Sequence, residues 1–157
     1  MKNAHQYEVG VRWTGNRGHG TSDYRSYARD HEISVEGKEI IRASSDPAFR
    51  GDSAVYNPEE LFIASIASCH MLWYLHLCAE AGVVVVEYTD QVKGMMEESA
   101  DSGGRFVSVT LYPKVVVSAE SMIEQANELH EKANGLCFIA NSLNFKVRHK
   151  PLATVGC

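Results

Sequence analysis

Four cysteines, Cys69, Cys78, Cys137 and Cys157, carry the widest choice of chemistry in this chain. A thiolate is a nucleophile and a soft metal ligand, whereas a protonated thiol in apolar surroundings behaves as a small hydrophobe. Their spacing matches neither a CxxC zinc ribbon nor the disulfide framework of a small secreted protein. Each is therefore inert core or a reactive thiol. Cys69 lies in Ala67-Ser68-Cys69-His70, inside an apolar run from Leu61 to Ala81. Desolvation there raises a thiol's pKa, so reactivity requires a cation brought close. Cys78 points to the opposite face of a helix that turns about 100° per residue, and reads as packing. Cys137 follows Gly135 and reads as core as readily as functional, while Cys157 ends a tail read as loose. A thiolate that is oxidised to a sulfenic acid is spared over-oxidation when a second thiol condenses with it to a disulfide.

Seven histidines beside four cysteines raise the alternative of a metal site. Cys69 and His76 share a helix face, and His130 and Cys137 do so approximately. No HExxH or CxxC supplies two ligands at close spacing, so no metal and no cofactor are expected. His70 sits about 100° round the helix from Cys69, which makes it a packed, hydrogen-bonded histidine and not the direct base of that thiol. The glycine-rich stretch from Gly15 to Gly20 is followed by neither a helix nor a Lys-Ser/Thr pair, which argues against a phosphate cradle.

The elements that must position these residues can be read in outline. At 157 residues, with 45% apolar and 22% charged residues, the chain fits one soluble globular domain spanning residues 1–157. A net charge of -5 without a run of Lys and Arg leaves no footprint for nucleic acid. The N-terminus lacks the apolar core of an export signal, so the protein is expected in the cytoplasm. A strand is predicted over residues 7–14, with a hairpin at 15–20. Further extended pieces at 27–35 and 38–43 turn at Glu36-Gly37.

Residues 44–56 form a loop of functional length. Asn57 then caps a helix, with Pro58 at its first position and Glu59 and Glu60 in its first turn. That helix is apolar almost all round and long enough to span a membrane. Ser65, Ser68, His70, Tyr74 and His76 inside it, and the lack of flanking Lys or Arg, favour a buried central helix instead. Extended blocks are predicted from 83 to about 96 and over 106–117, with Pro113 at an edge or bulge. Ser118 should cap a second helix that Gly135 ends, followed by a strand at 145–149.

Three segments together resemble the OsmC/Ohr family of osmotically inducible and organic hydroperoxide resistance proteins. Asn57-Pro58-Glu59-Glu60-Leu61 with Ala67-Ser68-Cys69-His70 is similar to its helix bearing the peroxide-attacking cysteine. Leu136 to Leu143 is similar to its second-cysteine segment, and Thr14 to Gly20 to its glycine-flanked arginine turn. The order of strands and helices agrees over nearly the whole chain. His70 and Phe138 depart from it, standing where the family usually has an aromatic or apolar residue and a proline.

The resemblance implies an α+β fold with two antiparallel sheets around a long buried central helix plus a second helix, assembled as an intertwined homodimer. It implies reduction of organic hydroperoxides to alcohols, with Cys69 as nucleophile and Cys137 as resolving thiol in a Cys69-Cys137 disulfide. Arg17 would stabilise the thiolate and the peroxide, and Glu59 would hold the guanidinium. Glu59 stands about 15 Å along the axis and about 80° round it from Cys69, so Arg17 spans the gap or a second subunit completes the cluster. Phe49, Phe62, Trp73 and Phe138 are candidates to line an apolar substrate pocket. An external dithiol or thiol protein would restore the cysteines. The alternative is a binding or stress-related protein that keeps the fold without peroxidase activity.

Overall fold

The computed structural model describes residues 4–101 and 103–156. The chain, read above as one domain, divides into two compact units, Met1–Leu61 and Phe62–Cys157. Cys157 lies outside the described residues.

The first unit holds an antiparallel sheet of β1 (Gly10–Trp13), β2 (His31–Ser34) and β3 (Ile41–Ala43), in that order. The predicted hairpin at 15–20 does not form. β1 pairs instead with β2, Trp13 opposite His31, and residues 14–30 make the connection. Within it, Asn16 Oδ1 accepts hydrogen bonds from the Gly18 and Gly20 amides at 2.9 and 3.1 Å, giving a local turn. Gly15 is buried where a Cβ would lie 1.9 Å from the Ala28 carbonyl oxygen, so the crossing needs a glycine. The predicted turn at Glu36-Gly37 does join β2 to β3, with Gly37 at φ 75°.

Residues 44–56 form the expected loop around one 3-10 turn, Pro47–Phe49. Buried Ser44 ties the loop down, its Oγ donating to Asp30 Oδ1 and accepting from the Asp52 amide, both at 3.1 Å. Along β1 and the residues before it, Tyr7, Val9, Val11 and Trp13 alternate with polar residues or glycine and stay exposed, Val11 at 70%.

Helix α1 (Pro58–Glu80) begins as its sequence predicts. Asn57 Oδ1 accepts from the Glu60 amide at 2.8 Å, and the Asn57 amide donates to Glu60 Oε2 at 3.1 Å. This reciprocal capping box is worth about 1 kcal/mol. The helix ends at Gly82, φ 74°, where the Val83 amide bonds the Cys78 carbonyl at 2.9 Å. The expectation of all-round burial is corrected. Fully buried positions are Ile66, His70, Tyr74, Leu77 and Cys78, a single stripe at three- and four-residue spacing, whereas Leu72 is 63% exposed.

The second unit adds β4 (Val85–Asp90), β5 (Lys93–Ser99), β6 (Gly103–Leu111), β7 (Pro113–Val117), α2 (Ile123–Leu136), β8 (Val147–His149) and β9 (Leu152–Val155). These strands form two sheets, ordered β4-β7-β9 and β5-β6-β8. Each extended block read from sequence is thus split between sheets. The second break falls at Tyr112-Pro113, where the Tyr112 amide donates to Asp90 Oδ1 at 2.7 Å.

The sheets are not wholly antiparallel, since β8 and β9 pair parallel to β6 and β7. The tail read as loose supplies β9, held also by the Ala153 amide donating to Asn127 Oδ1 at 3.2 Å. Ser118 does not cap α2. A 3-10 turn, Glu120–Met122, precedes that helix, and Ser118 Oγ donates to Met122 Sδ at 3.6 Å. Nor does Gly135 end α2, which runs to Leu136 with extended Cys137 as its C-cap.

Two apolar clusters fix α1 in this unit. One joins Tyr74, Leu77 and Cys78 to Val115, Val117, Ala126 and Ala133. The other joins Ile66 to Val109, Leu111 and Val147. The fold is α+β.

Candidate active site

The face of α1 beside its buried stripe carries Ser65, Cys69, Leu72, Trp73 and His76, again at helical spacing. With Phe138 and Ile139 they line a pocket of about 600 Å³. Its walls are mainly apolar. Trp73 meets Phe138 edge to face at 5.4 Å between ring centres. The hydroxyls of Ser65 and Ser68 donate back to the Phe62 and Ser65 carbonyls at 2.7 and 3.1 Å, leaving only lone pairs for the pocket.

Cys69 is half-buried on this wall, and Cys137, fully buried, lies within hydrogen-bonding reach of its sulfur. Burial pushes the Cys137 thiol up to about 11, and the hydrogen bond to Cys69 pushes the same way. The Ala140 amide, 3.4 Å from Cys137 Sγ, and the Ile139 amide oppose this without reversing it. At neutral pH the proton therefore stays on Cys137. The bend after α2 fixes that thiol: the Asn141 amide bonds the Cys137 carbonyl at 2.9 Å, and Asn141 Nδ2 bonds the Gly135 carbonyl at 3.1 Å.

The structure brings together Cys69, Cys137, Trp73 and Phe138, and it separates the other candidates. Phe62 does not line this pocket: it packs against the apolar cluster around Ile66, its ring 4.8 Å from that of Phe106. Phe49 sits in the 3-10 turn of the first unit. Arg17 belongs to the first unit, exposed, with no side-chain hydrogen bond or ion pair among the described residues. Glu59 leaves the capping to Glu60, and its Oε2 is buried without a hydrogen-bond partner among the described residues. Leu72 and Ile139 are pocket residues that the sequence reading does not single out, and His76 enters it as a possible metal ligand on the face of Cys69. The position three residues after Cys69 on the helix indicates Leu72. Cys78 is core, its thiol raised by burial.

His70 is packed and hydrogen-bonded, its Nε2 2.9 Å from Nδ1 of His130. Burial first, then repulsion from His149, lowers His70 to about 4. Burial, then His70 and His149, lowers His130 to about 3. Both rings are neutral at pH 7. Among the described residues, no three His, Cys, Asp or Glu side chains are arranged to hold a metal.

The family model described as OsmC-like protein matches residues 51–151. An OsmC-like protein of unknown function from Vibrio cholerae shares the fold at TM-score 0.85 and 30% identity, over 95% of this chain and 100% of that one. An organic hydroperoxide resistance protein from Elizabethkingia anophelis follows at TM-score 0.68 and 21% identity, over 98% and 100%. An OsmC-like protein from Mycoplasma pneumoniae superposes at TM-score 0.71 and 12% identity, over 96% and 98%. No curated protein matches the chain.

Proposed function

The chain belongs to the OsmC-like protein family, and from that premise we propose that it is a thiol peroxidase that reduces organic hydroperoxides to alcohols. One observation carries the reading: a half-buried thiol opens onto an apolar pocket while a second, buried thiol lies within hydrogen-bonding reach of the same sulfur. The Cys69 thiolate attacks the terminal peroxide oxygen, the O–O bond breaks, and the alkoxide leaves with a proton as the alcohol. Cys69 becomes a sulfenic acid. The Cys137 sulfur then attacks Cys69, and the hydroxyl departs with the Cys137 proton as water, closing a Cys69-Cys137 disulfide. A dithiol or thiol-protein reductant, external to the chain, returns both thiols.

The pocket supports organic over hydrogen peroxide, because Leu72, Trp73, Phe138 and Ile139 offer hydrocarbon contacts that hydrogen peroxide cannot use. Arg17 as the cation at the thiolate, and Glu59 as its holder, rest on the resemblance. The Glu59 oxygen, without a partner among the described residues, supports the second role, since a buried carboxylate oxygen needs a donor. A homodimer is in keeping with the uncovered apolar residues Tyr7, Val9 and Val11. We place the protein in the cytoplasm, where thiols are kept reduced.

Thiol counting tests the function. One equivalent of cumene hydroperoxide added to the reduced protein should remove two of its four thiols and yield one equivalent of alcohol. Protein that keeps all four thiols would instead be an OsmC-fold binding or stress-related protein without peroxidase activity.

A further inference from the structure

Consecutive residues of α1, Cys69 and His70, each meet a residue of the α2 segment. Cys69 meets Cys137, and His70 meets His130 through the 2.9 Å Nε2 to Nδ1 hydrogen bond. The two imidazole planes lie 6° apart with centres separated by 5.3 Å, so the bond runs in the plane of both rings. His130 is gripped a second time. Tyr74, one turn beyond His70 on α1, stacks on its face at 3.8 Å and 11°. Cys137 follows His130 by seven residues, so it lies on the same helix face about 10.5 Å further along. One buried position thus fixes the lengthwise placement and the rotation of the helix whose end delivers the second thiol.

Stability does not account for this pair. Because one nitrogen of the bond donates and the other accepts, the outer nitrogens must be one donor and one acceptor. Both, His70 Nδ1 and His130 Nε2, are buried without partners among the described residues. Two apolar side chains of similar shape would avoid that cost. What apolar side chains do not supply is a single direction and register. A disulfide demands both, since its Cβ atoms must come within about 4.5 Å of each other.

We propose that the His70-His130 hydrogen bond is a positioning device that holds Cys137 against Cys69 and governs closure of the disulfide, not the first attack on peroxide. Its place in turnover rests on the peroxidase reading, whereas its effect on closure does not. Diamide separates the two, because it accepts two electrons and two protons from a thiol pair and closes the disulfide without peroxide.

The test is the double variant His70→Leu/His130→Leu. It should melt at or above the wild-type temperature and should close the disulfide about 10- to 100-fold more slowly with diamide. With cumene hydroperoxide it should consume the first equivalent at a rate within about threefold of wild type, while a sulfenic acid trappable by dimedone accumulates. His70→Gln, whose amide reaches the Nε2 position, and His130→Asn, whose amide reaches the Nδ1 position, should each restore closure to within about threefold.

A folded double-leucine variant that closes its disulfide at the wild-type rate overturns the proposal. If that variant does not fold, His130→Asn is compared with His130→Gln, and equal closure rates overturn it. Wild-type protein that closes with diamide but consumes no peroxide would sink the peroxidase reading and leave the positioning role standing.

Discussion

The buried Cys137 thiol keeps its proton and lies in reach of the Cys69 sulfur, which alone of the two lines the apolar pocket. This asymmetry divides the labour. The sulfur on the pocket wall can receive a peroxide, and the one behind it can follow only after Cys69 has been oxidised.

Substitutions at the two positions should therefore fail differently. Cys69→Ser is expected to reduce peroxide consumption to background, even in the first turnover. Cys137→Ser should consume about one equivalent in a burst and then stop, leaving a sulfenic acid on Cys69 that mass spectrometry detects after dimedone labelling. A Cys137→Ser protein that turns over many equivalents with a dithiol would assign the resolving thiol elsewhere.

The apolar wall should set substrate preference. Trp73→Ala or Phe138→Ala removes contacts of about 1–2 kcal/mol, raising KM for cumene hydroperoxide about 5- to 30-fold. The rate with hydrogen peroxide should change little. Steady-state kinetics with both oxidants checks this, and equal losses on the two would mean that the rings support Cys69 instead of the substrate.

The outcome for the aromatic candidates shows what a sequence can and cannot reveal. Ile66, His70, Tyr74 and Leu77 share the buried side of α1, while Leu72, Trp73 and His76 follow the phase of Cys69. Phase does not separate Phe62 from Trp73, which stand about 20° apart round the helix and about 16.5 Å apart along it; Phe62 is drawn away by its packing against Phe106, a contact between distant segments. The capping box at Asn57 was legible, because its partners are three residues apart. Contacts made by distant segments left no such mark. The tail becomes β9 only because β7 offers it a parallel edge, and Ser118 loses its capping role to a 3-10 turn that its type does not forecast. The nearness of Cys137 to Cys69 also depends on tertiary packing, so spacing could not establish it.

Arg17 and Glu59 call for a charge test. Arg17→Ala should slow the first attack about 100- to 1,000-fold, the scale of losing one preorganised donor to developing negative charge. Arg17→Lys should recover only part of this, because an ammonium cannot pair with a carboxylate through two parallel hydrogen bonds. Glu59→Gln should lower the rate less than Arg17→Ala. Stopped-flow consumption of the first equivalent is the measurement, and an Arg17→Ala enzyme with a wild-type first turnover would remove Arg17 from the mechanism.

The neutral histidine pair should also make the fold acid-sensitive. His70 and His130 stand at about 4 and about 3 in the folded chain, against 6.5 when exposed. Above pH 6.5 neither state binds these protons, and their contribution to stability is complete. As pH falls below 6.5 the unfolded chain takes up protons that the folded rings refuse, so stability drops until the folded values are reached. The slope is about 1.4 kcal/mol per pH unit for each ring. Neighbouring groups modify it. Asp90, its carboxyl raised by burial, regains stability on protonation and opposes the loss, while His149 faces both rings and contacts Glu131 at 3.4 Å. The comparison with His70→Leu/His130→Leu cancels these terms to first order. Between pH 7.5 and 5.0 the wild type should lose about 4 kcal/mol more than that variant, read from urea unfolding midpoints. Parallel pH profiles for the two proteins would show that the rings can take up protons in the folded chain.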